Sequence, residues 1–269
     1  MDPVVLRFLA VAVGTIAGLS GMEVAAKLPA WLGLGASKRR PVLVVLVILC
    51  ALGIAQVLAG VDGTGFEVLF PLVVHSTLCA LVLAAAAIDL EHMVLPNELT
   101  VGGALLGLAT APFRAIGVRN AAIGAAIGLA LTLAPFLLYR RLRGRSGMGL
   151  GDAKLAILAG AWLGAEGVVF VVFLGAVQSV LGAFALQRSG RAYPIPASVV
   201  AEIADLRERA AKGDTSAAEE LAADPMSGES DGSVLSARLP LGPFLALACI
   251  EVLFLRRWLV VHVLGWLAR

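Results

Sequence analysis

Residues 147–155, with the sequence GMGLGDAKL, place an acid where a glycine-rich turn meets an apolar run. The acid is Asp152, and the apolar run begins at Leu155. A second acid, Asp89, has a similar setting, because residues 84–88 before it are all apolar. An ionisable group at the mouth of a membrane-spanning segment is a functional-site hypothesis by default. The fold and the function therefore both depend on whether these apolar runs span a membrane.

The composition indicates that they do. Hydrophobic residues make up 59% of the chain and charged residues 15%, whereas a soluble domain has about half apolar and about a quarter charged residues. Apolar windows recur along almost the whole length, so a cleavable signal does not explain the excess. The net charge of +2 is too small to favour binding to nucleic acid. We predict an all-α, polytopic helical membrane protein that lies in a lipid bilayer.

The apolar runs predict about eight transmembrane helices. A spanning helix needs about 20 apolar residues, and somewhat fewer if one end is buried in the bundle. The run from residue 152 to 186 is too long for one span, and we expect the glycines of residues 164–167 to divide it into two. The remaining six spans are predicted at residues 4–26, 42–59, 68–88, 99–112, 121–139 and 241–255.

The basic residues predict the orientation of these spans. The loops after the odd-numbered spans hold the densest basic clusters, at residues 38–40 and 140–145. The positive-inside rule makes that side cytoplasmic, with Arg114 and Arg119 as exceptions on the other side. Both Asp89 and Asp152 are then predicted at the cytoplasmic surface of the membrane.

The chain divides into three regions by composition. Residues 1–187 hold the first seven spans and both acids, and residues 239–269 hold the last span with an interfacial tail. Residues 188–238 form a polar insertion, predicted to be cytoplasmic and rich in Ala, Glu, Asp, Ser and Gly. Apolar residues at helical spacing predict a surface helix over residues 198–212. A solvated loop and a docking element for a partner both remain open for this insertion.

Asp89 and Asp152 are the candidate catalytic pair. Two carboxylates brought within a few ångströms cannot both ionise easily, so they share a proton. Such a pair can activate a water as general base while donating a proton to a carbonyl as general acid, which is aspartyl protease chemistry and needs neither metal nor cofactor. Gly149 and Gly151 would let an extended substrate strand approach the backbone. Lys154 would point away from Asp152 on a helix, which favours a side chain extended to the lipid headgroups over a substrate contact.

The other reactive side chains are interpreted as structural. Cys50, Cys79 and Cys249 lie in apolar runs without C-x-x-C spacing, which argues against a zinc–thiolate site of the usual pattern and against a disulfide framework. His75 is interpreted as a core histidine bonded to a neighbouring helix, and His92 as an interfacial residue.

Three motifs resemble those of one family. Residues 88–100, IDLEHMVLPNELT, resemble the first catalytic segment of the type IV prepilin peptidases. Residues 147–155, followed by GAWLG at residues 160–164, look like the G-x-G-D segment of that family. Residues 239–246, LPLGPFLA, are similar to the motif that opens its last helix. The three motifs occur in the order of the family and cover about residues 68–255.

The resemblance implies an intramembrane aspartyl endopeptidase of the GxGD type. Its substrates would be prepilin or pseudopilin precursors of type IV pili or type II secretion, cut after a short basic leader at the cytoplasmic face of the inner membrane. Asp89 and Asp152 carry over as the catalytic pair. Gly149, Gly151, Pro96 and Lys154 are the candidate substrate contacts.

One part of the family pattern is missing, and two other classes of function remain open. Bifunctional members carry a cysteine-rich N-methylation domain after the first helix, but residues 27–40 contain no cysteine, so the resemblance does not extend to methyltransferase activity. A proton-coupled carrier would place acids near the membrane midplane in two repeated halves, and we find no such repeat. A catalytically idle scaffold for pilus or secretion assembly is the other alternative, and the intact acid pair argues against it.

Overall fold

A computed structural model describes residues 3–34, 50, 66–143, 150–190, 196–223 and 239–259 of the chain. Within these ranges every regular element is helical, which confirms the all-α prediction. The α-helices are α1 Pro3–Trp31, α2 Phe66–His92, α3 Asn97–Thr110, α4 Gly117–Arg143, α5 Leu150–Arg188, α6 Ala197–Ala211, α7 Thr215–Ala223 and α8 Gly242–Leu259, and a 3₁₀ turn covers Ala111–Phe113.

Four described helices are long and apolar enough to cross a membrane, so the chain is a multi-pass membrane protein. They contain the stretches Phe8–Trp31, Phe70–His92, Gly117–Leu138 and Gly151–Arg188. The apolar part of α8, Gly242–Leu255, is shorter, and α3 has 14 residues. The span predicted over residues 42–59 lies outside the described residues, apart from Cys50.

Helix α2 is the centre of the bundle. Residues 82–88 of α2 are all buried and apolar. A helix segment that is buried on every side is surrounded by neighbouring helices. Helices α1, α3 and α8 pack against it. Because Asp89 directly follows this buried stretch, the most enclosed helix carries the first candidate acid.

The long helix α5 is broken at Gly164, within the segment where the sequence predicts a division. Gly164 has φ 78°, a backbone conformation that residues with a side chain rarely adopt. The N–H of Ala165 donates to Asn120 Oδ1 of α4 at 3.1 Å, which satisfies one backbone group freed by the break. The first half of α5 therefore runs away from Asp152, and the second half returns towards it.

Small residues let the helices approach one another closely, as they do in many membrane bundles. A Cβ at Gly160 of α5 or at Gly124 of α4 would overlap the backbone of the opposite helix. Gly175 and Gly182, in the second half of α5, lie against Leu245 and Phe244 of α8. These contacts hold α8 beside α5 and fix where α8 begins.

Candidate active site

Asp89 lies in the last turn of α2, and 5% of it is exposed. Its Oδ2 accepts a hydrogen bond from the backbone N–H of Gly242 at 3.0 Å. Gly242 opens α8, and the free N–H groups at a helix start favour a negative charge. Helix α8, which lies 153 residues further along the chain, therefore holds the carboxylate of Asp89 in place.

A glycine is required at position 242 because Asp89 fills the space beside it. A Cβ built there would lie 2.5 Å from Asp89 Oδ2 and 3.0 Å from its Cγ. The interpretation of the sequence placed no site residue here. The LPLGP stretch of residues 239–243 could have pointed to Gly242, because it resembles the motif that opens the family's last helix. The resemblance alone assigns no role to the glycine.

Asp152 is the second acid of the candidate site. It lies in the first turn of α5, and 9% of it is exposed. The two carboxyl groups lie close enough for their charges to interact. The structure thus brings together the two acids that the sequence predicts to lie at one membrane surface. Two buried carboxyl groups whose charges interact repel each other when both are ionised, which favours the protonated form of one of them.

The segment that follows Asp89 also contacts the segment that contains Asp152. A Cβ at Gly151 would lie 3.2 Å from the Cβ of Leu95, so Gly151 is packed closely against this residue. Pro96, another predicted substrate contact, is buried and begins α3, where its carbonyl accepts a 2.9 Å hydrogen bond from the hydroxyl of Thr100. Gly149, the remaining glycine of the predicted set, lies outside the described residues.

Lys154 joins these two segments by a direct hydrogen bond. Its Nζ donates to Asn97 Oδ1 at 2.7 Å. The sequence predicts either a lysine extended to the headgroups or one that contacts substrate, and it misses this bond. The missing signal is the position of Asn97, because only the folded chain shows that α3 begins beside the start of α5.

One of the two histidines differs from its predicted setting. His92 is buried, with 8% exposure, and its Nε2 has no hydrogen-bond partner. It is enclosed because α2 continues to His92 before Met93, at φ 53°, turns the chain. His75 bonds the carbonyl of Pro71 in its own helix, at 2.5 Å, and not a neighbouring helix.

Other potential ligands in the described part of the chain include two neighbouring cysteines, Cys50 and Cys79, whose side chains hydrogen-bond each other. Cys50, Cys79 and Cys249 are free and buried, as their apolar setting predicts. The carboxylate of Glu251 accepts a hydrogen bond from the side chain of Gln178 at 2.5 Å. Across the described ranges, no group of three His, Cys, Asp or Glu side chains is placed to hold a metal ion.

Comparison with known proteins finds one family. Residues 76–185 match the sequence profile of the Type IV leader peptidase family. This range contains both Asp89 and Asp152, together with α3, α4 and most of α5. No solved structure matches the chain.

Several curated proteins are similar to a part of the chain. A prepilin leader peptidase/N-methyltransferase of Xanthomonas campestris pv. campestris is 38% identical over 122 residues, which are 44% of this chain and 42% of that protein. The protein of the same name from Aeromonas hydrophila is 32% identical over 167 residues, 60% of this chain and 54% of that protein. The one from Dichelobacter nodosus is 35% identical over 127 residues, 46% and 43% of the two chains. The similarity thus spans about half the length of these relatives.

Proposed function

Because residues 76–185 match the profile of the Type IV leader peptidase family, we propose that this chain is an intramembrane aspartyl endopeptidase. Its substrates are type IV prepilin-like precursors, from which it removes the N-terminal leader. The observation that carries the proposal is the pairing of Asp89 and Asp152 at the ends of two buried helices. The family profile covers the region that holds this pair, and relatives whose names include leader peptidase are 38% and 32% identical to parts of this chain.

The proposed mechanism uses the two acids in opposite protonation states. One carboxylate takes a proton from a water molecule, and the oxygen of that water attacks the scissile carbonyl carbon. The other carboxyl group donates its proton to the carbonyl oxygen. The tetrahedral intermediate then collapses, and the amide nitrogen leaves with a proton returned by the pair. The products are a leader with a new carboxyl terminus and a mature chain with a free amine. The hydrogen bond from Gly242 to Asp89 fixes one acid for both steps.

We further propose that the pair lies at the cytoplasmic face of the inner membrane. The basic residues 140–145 directly precede the segment of Asp152, and the positive-inside rule places such clusters in the cytoplasm. Residues 188–238 would then form a cytoplasmic insertion between α5 and α8. We do not extend the proposal to N-methylation, since residues 27–40 contain no cysteine.

Reconstitution in liposomes tests this function. The purified chain is incorporated together with a prepilin-like precursor, and the products are sequenced and weighed. The proposal predicts one cut, between the basic leader and the apolar helix. It also predicts that a membrane-impermeant protease cuts the chain at the basic cluster of residues 140–145 from the same side on which the leader is released. Cleavage at scattered positions, or release on the opposite side, would contradict it.

A further inference from the structure

A cavity of about 300 Å³ lies at the end of the bundle remote from Asp89. It is lined by Phe70 and His75 of α2. Asp89 lies 19 positions after Phe70 in the same helix, which is about 28 Å at 1.5 Å per residue. Most of the lining is apolar, with aromatic rings from Phe70, Phe113 and Trp162. The cavity is therefore separate from the candidate active site and has a different chemical character.

Arg114 supplies a positive charge to this cavity. Its guanidinium donates to the backbone carbonyls of Trp162 at 2.7 Å and Ala161 at 2.9 Å, and also to that of Gly107. The group lies over the Trp162 ring, 5.1 Å from its centroid. A guanidinium has five N–H donors, and these bonds leave the buried Nε–H without a partner. The side chain is thus held rigidly with part of its hydrogen-bonding capacity unused.

No anion balances this charge within the described ranges. The ion pairs found there do not include Arg114, and no carboxylate is among the residues that line the cavity. Burial lowers the pKa of Arg114, and no acidic neighbour opposes that effect. Partly buried charges in proteins are normally paired, because an unpaired one is costly. An anion bound at Arg114 would remove this cost.

We propose that the cavity binds an anionic phospholipid, with the phosphate on Arg114 and an acyl chain among the aromatic and aliphatic side chains. Arginine binds phosphate strongly through charge-assisted hydrogen bonds, and basic pockets between membrane helices are suited to lipid headgroups. Phe113, at 66% exposure, lies at the edge of the cavity, where a lipid can enter from the bilayer. This proposal does not depend on peptidase activity.

The test measures lipid binding to the purified, delipidated chain by native mass spectrometry and thermal unfolding. The probes are phosphatidylglycerol, phosphatidylcholine with the same acyl chains, and soluble glycerol 3-phosphate. Both lipids carry a phosphate, but the quaternary ammonium of phosphatidylcholine cancels its charge and would lie near the Arg114 cation. The proposal therefore predicts that phosphatidylglycerol binds about tenfold more tightly and raises the unfolding temperature. Equal binding of the two lipids overturns the proposal. Binding of glycerol 3-phosphate as tight as that of the whole lipid also overturns it, because the acyl chain would then contribute nothing.

Three variants locate the bound lipid. Ala115 is exposed and lines the cavity, so Ala115→Trp fills it while leaving Arg114 in place, and we expect the preference for phosphatidylglycerol to disappear. Arg114→Gln removes the charge but also the bonds to three carbonyls, so Ala115→Trp decides the question if that variant does not fold. Arg119→Gln is the matched control, because Arg119 is an exposed cation of the same region that does not line the cavity. An unchanged preference in Ala115→Trp, or a loss in Arg119→Gln alone, contradicts the proposed site.

Discussion

Replacing Gly242 with alanine tests the geometry around Asp89. The new Cβ would lie 2.5 Å from Asp89 Oδ2, 3.0 Å from its Cγ and 3.3 Å from its Cβ. Carbon atoms pack favourably near 3.5 Å, so the carboxylate must move by about 1 Å. That movement breaks the 3.0 Å hydrogen bond from the Gly242 N–H and changes the position of Asp89 relative to Asp152.

The size of the effect follows from the bond that is lost. A hydrogen bond to a charged group contributes about 1.5–3 kcal/mol, which corresponds to a fall in cleavage rate of about 10-fold to about 150-fold. The assay is the initial rate of precursor cleavage in membranes that contain equal amounts of each variant. At saturating precursor the loss should appear in kcat, because the change moves a catalytic group.

Gly103→Ala is the matched control for this prediction. A Cβ there would lie 2.6 Å from Leu158 Cδ1, so the overlap is similar but involves the flexible end of a side chain. We expect a lower unfolding temperature for Gly103→Ala with kcat near that of the wild type. If Gly242→Ala cleaves within about twofold of the wild type, the hydrogen bond does not position Asp89 and the reasoning is refuted. An equal loss in both variants would show a general packing defect instead.

Three further predictions concern other contacts. Lys154→Met and Asn97→Ala should each slow cleavage several-fold. The double variant should be no slower than either single variant, because both substitutions remove the same hydrogen bond. Additive losses in this double-mutant cycle would contradict the prediction. Gly164→Ala should lower stability by at least about 1 kcal/mol in thermal unfolding, since φ is 78° there, whereas an unchanged melting temperature would show that the break is not strained. The hydrogen bond from Arg209 lowers the pKa of Asp214. The bonds of ionised Asp214 to Arg209 and to the start of α7 therefore stabilise that helix at any pH above the ordinary carboxyl pKa. This stabilisation is lost as pH falls below about 4. The hydrogen-exchange protection factors in α7, which are corrected for the intrinsic exchange rate at each pH, should then fall at low pH in the wild type, while Asp214→Asn should show no such change.

Hydropathy is sufficient to predict most of the fold because the bilayer restricts the chain to helices of a set length. The break in α5 could be predicted for the same reason, since a run from residue 152 to 186 exceeds one span and glycines lie within it. The proximity of Asp89 and Asp152 followed from counting spans, which puts both acids at one membrane surface. These features depend on composition and order along the chain.

The remaining features depend on contacts between distant segments, which a single sequence does not reveal. The bond from Gly242 to Asp89 joins residues 153 positions apart, and the bond from Lys154 to Asn97 joins residues 57 apart. The burial of His92 depends on where α2 ends, and helix ends are set by local turns such as that at Met93. No periodicity of apolar residues reports these contacts.

Whether Asp89 and Asp152 are the catalytic pair is tested by cleavage of a prepilin-like precursor. The precursor is co-expressed with the wild type, Asp89→Asn or Asp152→Asn. Each substitution keeps the size of the side chain and removes its acid, so protein levels in the membrane should be unchanged. Catalysis by the two aspartates predicts a shortened product with the wild type and none with either variant. If both variants cleave as well as the wild type, the two aspartates are not the catalytic pair.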